Sequence, residues 1–300
     1  MVVELPYSLH TRYKSIAIAW TVIIIPPIFI NLGLFYGLWY GPPDLDRIAV
    51  LTIPTAVLGV FTVIAIIERI WKLTQPSPEF RPLKSPRYGL DVFQWGYFGA
   101  LIIISSLISS TLLRDDNDHD GHELQIRLLS LPVPVLMYFL ATLTALSLLL
   151  NALEITLPFR FGSMDTGSVV RPAIYYIVED VVAVDGNGGI EYREAFGARY
   201  ESSPIFQSMI KTLSIFWCLA FYALAAWFTV LVFKLPAIAV YAVGWAGPFP
   251  LAGLLAVWTI YYVKSCMRDE RNMESGGTGV QNGPLGQSQD ERTPLLNSEV

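Results

Sequence analysis

The densest group of side chains with ligand chemistry is the string Arg-Asp-Asp-Asn-Asp-His-Asp-Gly-His-Glu over residues 114–123. Asp116, Asp118, Asp120 and Gly121 match the opening half of a calcium loop, three carboxylates followed by the turn glycine. The position that should hold a closing bidentate glutamate is Arg127, and the position that should be apolar is Glu123. A metal site on Asp116, Asp118 and Asp120 is therefore expected to be incomplete and weak. His119 and His122 offer a transition metal as the alternative. A hydrated acidic loop is the default.

Other carboxylates stand in pairs. Glu179-Asp180 and Glu191/Glu194 have the chemistry of a general acid and base. No histidine, cysteine or serine constellation accompanies them, because the three histidines are His10, His119 and His122. A solvated polar face is the expected role for all four, with no catalytic residues and no cofactor. The C-terminal Glu291-Arg-Thr-Pro-Leu-Leu296 is different in kind. Glu291, Leu295 and Leu296 resemble the acidic dileucine signal read by clathrin-adaptor complexes, in which leucines fill apolar pockets and the acid meets a basic patch. The segment around it is rich in Gly, Gln, Ser and Asn, which cannot bury a core, so residues 271–300 are expected to be a disordered tail.

The elements that must carry these groups are read from hydropathy. Of 300 residues, 53% are apolar and only 15% charged, with a mean hydropathy of +0.49. A soluble chain carries about 25% charged residues. About 20 apolar residues cross a bilayer core as a helix. Six stretches qualify, at 15–40, 48–71, 92–113, 128–150, 213–233 and 236–263. The fold class expected is all-α, a polytopic membrane protein. Its parts are an arm over 1–14, a membrane domain over 15–270 with a long loop at about 151–211, and the tail. Strict alternation of apolar and polar residues is absent, which excludes a β-barrel. The net charge of −5 argues against a nucleic-acid partner, and two cysteines against a disulfide scaffold.

Sixteen of the twenty Lys and Arg residues fall in the arm, the second loop, the long fourth loop and the tail. Positive charge favours the cytosolic side, so both termini and the long loop are expected there. Trp20, Trp39, Tyr40, Trp71, Trp95, Tyr261 and Tyr262 lie near span ends as interfacial anchors, whereas Trp217, Trp227 and Trp245 are expected to pack between helices. Gly33, Gly37 and Gly41, and Ser105, Ser106, Ser109 and Ser110, form small faces. They are expected to seat neighbouring helices within the bundle, with a homo-oligomer seam as the alternative.

Two spans contain breaks, at Pro26-Pro27 and at Gly244-Trp-Ala-Gly-Pro-Phe-Pro250, where Pro248 and Pro250 remove backbone donors. Such breaks can form a midplane site in transporters, although a kink satisfied by a neighbouring helix is commoner. No ionisable residue sits mid-span, and Glu68, Arg69, Asp91 and Glu154 lie near ends within reach of the interface. That weighs against an ion-coupled carrier.

In the long loop, Ile174, Ile177, Val178, Val181 and Val182 predict an amphipathic helix that Pro172 starts and Gly186 stops. A turn at 185–189 and a second helix over 190–200 follow, and Ser203-Pro204 opens a third leading into span five. The run RPAIYYIVEDVVAVDGNGGIEYREAFGARYESSPIFQSM over 171–209, with the later GWAGPFP, resembles uncharacterised multispanning membrane proteins of filamentous ascomycete fungi. The resemblance covers the C-terminal half and implies a lineage without an activity. Three functions are expected in descending order. The first is a non-enzymatic multi-pass protein of endosomal or vacuolar membranes, with the plasma membrane as the alternative location, embedded in the bilayer and bound by clathrin adaptors. The second is a facilitator of a small, largely apolar solute through the broken spans, and the third a membrane enzyme using interfacial carboxylates.

Overall fold

The computed structural model describes residues 21, 25–41, 44–114 and 119–281. Five helices within it are long and apolar enough to cross a membrane, and a shorter apolar helix, Ile28–Tyr40, belongs to the first expected span. The described part of that span opens with a π-helical turn, Ile25–Ile30, which carries Pro26 and Pro27 and continues into α1 (Asn31–Tyr40). A proline pair cannot complete the ordinary helical ladder, and the wider turn carries the chain past it.

The second span is α2 (Arg47–Thr74), with Pro54 inside it. The Thr55 hydroxyl donates to the carbonyl of Leu51, beside the donor that proline lacks. The third is α3 (Val92–Leu112), capped by Asp91, whose carboxylate accepts from the Gln94 N–H at 2.8 Å. Between the third and fourth spans lies a helix the sequence reading did not anticipate, α4 (His119–Leu129). The fourth span is α5 (Pro132–Ala152), so the expected start at 128 falls instead in the last turn of α4.

The long loop supplies α6 (Ala173–Asp180), a π-helical turn Val181–Asp185 and α7 (Gly189–Ser202). Gly189 has φ +64°, and a Cβ there would stand 3.3 Å from the carbonyl oxygen of Glu79, so glycine suits both the backbone and the approach of the second loop. The fifth span is α8 (Pro204–Lys234), capped by Ser203. The sixth is α9 (Ala237–Ala246) followed by α10 (Pro248–Gln281). Among the described residues there is no strand, only two isolated antiparallel bridges, Thr156 with Val169 and Phe161 with Met164.

Two cores hold the bundle, one towards each end. Phe35, Val50, Leu51, Ile126, Leu129, Tyr241 and Trp245 form one. There Phe35 stacks on Tyr241 with centroids 3.9 Å apart, and the Trp245 indole donates to the Leu129 carbonyl, satisfying the end of α4. Tyr175, Tyr176, Tyr192, Phe196, Phe206 and Met209 are central to the other, built from the long loop and the start of α8. The second loop, the long loop and the region after the sixth span all meet at that second end. Leu83 N–H donates to the Ser163 hydroxyl, and Arg199 pairs with Glu270 at 2.5 Å. These are three of the four regions in which the sequence concentrates Lys and Arg.

Several expected packings differ. Gly33 and Gly37 have nothing within 4 Å of a Cβ position among the described residues, so this strip does not seat a described helix. Ser105, Ser106, Ser109 and Ser110 are all exposed. Trp227 is 61% exposed rather than packed between helices, whereas Trp245 is buried. The close approach occurs at Gly244, where a Cβ would lie 2.0 Å from the Ser130 carbonyl oxygen. Pro248 and Pro250 begin α10 at positions whose N–H groups need no helical partner. Gly247 before them keeps right-handed helical angles and donates to Val243 at 3.0 Å, so the sixth span turns rather than unwinds.

Candidate functional site

The polar groups of the long loop are positioned by the way α6 docks. Pro172, the residue before the helix, has no side-chain cap to offer its first N–H groups. Two serines on membrane helices take that role. Ser147 of α5 accepts from Ala173 at 2.9 Å, and Ser214 of α8 accepts from Ile174 at 3.4 Å. The helix is thereby held against the ends of α5 and α8 with Tyr175, Tyr176, Glu179 and Asp180 turned inward. The expected solvated face is overturned. Glu179 and Asp180 are each 1% exposed.

An ion-pair cluster explains how carboxylates can lie there. Arg193 of α7 is completely buried and places one guanidinium nitrogen 2.6 Å from Asp180 and 3.2 Å from Glu179. Its other terminal nitrogen donates to the Phe80 carbonyl and lies 3.7 Å from Asp91. Arg69, at the end of α2, pairs with Asp91 at 2.6 Å and with Asp185 of the π-helical turn. Its guanidinium also lies over the Phe93 ring, 4.7 Å from the centroid. The Asp180 carboxylate accepts from the Phe93 N–H at 3.0 Å. Arg69 and Asp91 were expected to reach the interface from span ends; instead the loop covers them, because each completes the other's desolvated charge.

Four carboxylates share two guanidinium groups in this cluster. Burial foremost, then the negative charge of Asp91, pushes Asp180 up to about 7, against the pull of Arg193. Burial likewise raises Glu179 against Arg193, and raises Asp185 against Arg69. For Arg193 burial acts downward, but Asp180 and Glu179 outweigh it and hold the group firmly charged.

A second buried pair ties the loop to the last helix. Arg199 and Glu270 meet at 2.5 Å, and Ser203 donates to the same carboxylate while capping α8. Arg171 lies against the rings of both Tyr175 and Tyr200, 4.5 and 4.7 Å from their centroids, and pairs with Glu201 at 2.9 Å. Burial raises Tyr176 to about 12, and its hydroxyl accepts from the Arg171 N–H.

Glu191 and Glu194 are exposed on the outer face of α7, as the sequence suggests. Arg69, Asp91, Arg193, Arg199 and Glu270 were not singled out as partners. One local signal was available: Tyr175, Tyr176, Glu179 and Asp180 repeat with helical spacing on the face opposite the aliphatic stripe. Among the other candidate residues, Asp116 and Asp118 lie outside the described residues, and Asp120 falls in the first turn of α4. Glu123 and Arg127, which would belong to the same calcium loop, are paired with each other at 2.5 Å along that helix. Among the described residues no three His, Cys, Asp or Glu side chains are placed so that they could hold a metal ion. Glu291, Leu295 and Leu296 lie outside them.

Long apolar helices, their outward apolar side chains and a charge-paired cap at one end define an all-α polytopic membrane protein. The chain belongs to the family described as Domain of unknown function (DUF8766), whose profile matches residues 2–274 and so extends well beyond the C-terminal half that carried the resemblance. Comparison with curated proteins and with solved structures returned no match.

Proposed function

We propose that this is a non-enzymatic multi-pass protein of endosomal or vacuolar membranes, whose charged end is a rigid cytosolic platform for partners. The observation that carries this reading is the clamping of Glu179 and Asp180 by Arg193, with each carboxylate 1% exposed. Carboxylates held this way maintain a shape and do not reach a substrate. The positive-inside bias supports a cytosolic platform, and Glu291, Leu295 and Leu296 support delivery by clathrin adaptors.

The test is to express Glu179→Gln and Asp180→Asn forms of the full chain in a fungal cell. The expected result is lower abundance or thermal stability with unchanged small-molecule pools. An altered metabolite pool at normal abundance and location would instead favour a membrane enzyme.

A facilitator is the second reading, favoured by one observation. Asn31 is completely buried beside the π-helical turn, and its side-chain nitrogen has no partner among the described residues while its oxygen accepts from Tyr241 at 3.0 Å. An unspent donor at such a place suits a passing acceptor. Replacing Pro248 and Pro250 with Ala, or Asn31 with Leu, would reduce solute flux with normal targeting if this reading holds.

A further inference from the structure

A cleft of about 350 Å³ opens beside the platform, between the hairpin-like segment before α6 and the junction of α7 with α8. Such a volume lies at the small end of the roughly 300–1,000 Å³ range of ligand sites. Its polar lining is Asn151, Ser168, Arg171, Tyr200, Glu201 and Gln207. Asn151 sits in the last turn of α5 and Gln207 in the first turn of α8. The cleft therefore lies where two adjoining membrane helices leave the apolar layer. Val169 in its lining is exposed, as are Leu153, Ile155 and Phe159 in the segment between α5 and α6, and Trp71 and Trp95 stand near the ends of α2 and α3. This is the level of lipid headgroups.

The lining carries both signs of charge side by side, since Arg171 and Glu201 pair at 2.9 Å. Arg171 is held over two tyrosine rings and is charged, with Ser168 near it as a neutral donor. The side-chain nitrogen of Asn151 donates to the Val170 carbonyl at 2.7 Å, and that of Gln207 to the Tyr200 carbonyl at 2.7 Å. Those bonds hold each amide in place, with its oxygen presented as an acceptor beside a second N–H. Glu201 adds a carboxylate that is 73% exposed and needs no rebuilding to meet a new partner. A cation–anion pair bordered by acceptors matches a ligand that itself carries a phosphate and a hydrogen-bonding ammonium.

We infer that this cleft binds the headgroup of an aminophospholipid, phosphatidylethanolamine being the simplest, with its phosphate on Arg171 and Ser168 and its ammonium on Glu201, Asn151 and Gln207. The exposed apolar side chains of the segment between α5 and α6 then lie among the acyl chains. Phosphatidylcholine has the same charges but no ammonium hydrogen to donate, so it fills the site poorly. The inference uses the membrane setting only and does not depend on the platform's partners.

The experiment is native mass spectrometry of the full-length protein in detergent, exposed to equimolar phosphatidylethanolamine and phosphatidylcholine with matched acyl chains. The expected result is retention of phosphatidylethanolamine over phosphatidylcholine by on the order of tenfold, the value of one charge-assisted hydrogen bond. Glu201→Gln brings the ratio close to parity, and Glu194→Gln, on the same helix but outside the cleft, leaves it unchanged. Because Glu201 is exposed, its replacement tests the site without challenging the fold. Equal retention of the two lipids by the native chain, or an unchanged ratio in Glu201→Gln, overturns the inference. So does displacement of the lipid by soluble phosphoethanolamine at equal concentration, which would make the free headgroup the occupant.

Discussion

Asp180 is held with a proton affinity far above that of an ordinary aspartate, and the consequence for stability has a definite sign. The folded state raises the group from 3.8 to about 7, so its contribution is complete below about pH 4 and is lost as pH rises through about 7. Glu179 and Asp185 shift in the same direction. Thermal unfolding of the detergent-solubilised protein should therefore show a platform more stable in mild acid than at neutral pH. Asp180→Asn should flatten that slope. At the centre of the cluster, Arg193→Ala leaves Asp180 and Glu179 buried without their partner, a loss of about 3–5 kcal/mol for a broken buried pair. The exposed pair of Lys84 with Asp165 is a useful contrast, since Lys84→Ala should leave the melting temperature unchanged.

Helix contacts in this protein depend on where side chains are missing. At Gly244, α9 crosses the end of α4 so closely that even a methyl group meets backbone, 2.0 Å from the Ser130 carbonyl oxygen. Gly244→Ala should cost about 1–3 kcal/mol, as overpacking does. Gly33→Ala should be tolerated, because a Cβ there meets nothing within 4 Å among the described residues. Comparing the two variants by thermal unfolding checks the packing of α4, α9 and α1 together. The difference also explains why small-residue spacing alone was misleading. It marks where a helix can be approached, whereas the approach itself is made by another part of the chain.

For the whole molecule, the two ends of the bundle differ. One is closed by aromatic packing around Phe35 and Tyr241, and the other by arginines that join the second loop, the long loop and the last helix. If the charged end is cytosolic, the tail beyond it is available to adaptors. Location is then the first measurement at this scale. A fluorescently tagged chain is expected at the vacuolar or endosomal membrane, and Leu295→Ala with Leu296→Ala is expected to redirect it without changing its melting temperature. Identical distributions for the two forms would remove the address and leave the shared membrane as the guide to function.

Membrane residence, the helical class and the approximate spans were legible in sequence because hydropathy adds up over neighbouring residues. The gathering of positive loops at one end was legible for a related reason, since charge bias acts on each loop in turn. The helix α4 was hidden because its buried residues, Ile126 and Leu129, adjoin an acidic string that reads as loop. Whether Glu179 and Asp180 face water or Arg193 could not be decided locally. Arg69 finds Asp91 across 22 residues and Asp185 across 116, and a carboxylate is as compatible with solvent as with a distant guanidinium until the fold brings that partner near. The sequence by itself determined a polytopic helical membrane protein, since the bilayer rewards apolar length in each segment. Only the tertiary structure decided which charges are buried, since desolvating a charge becomes tolerable only when its partner arrives from elsewhere in the chain.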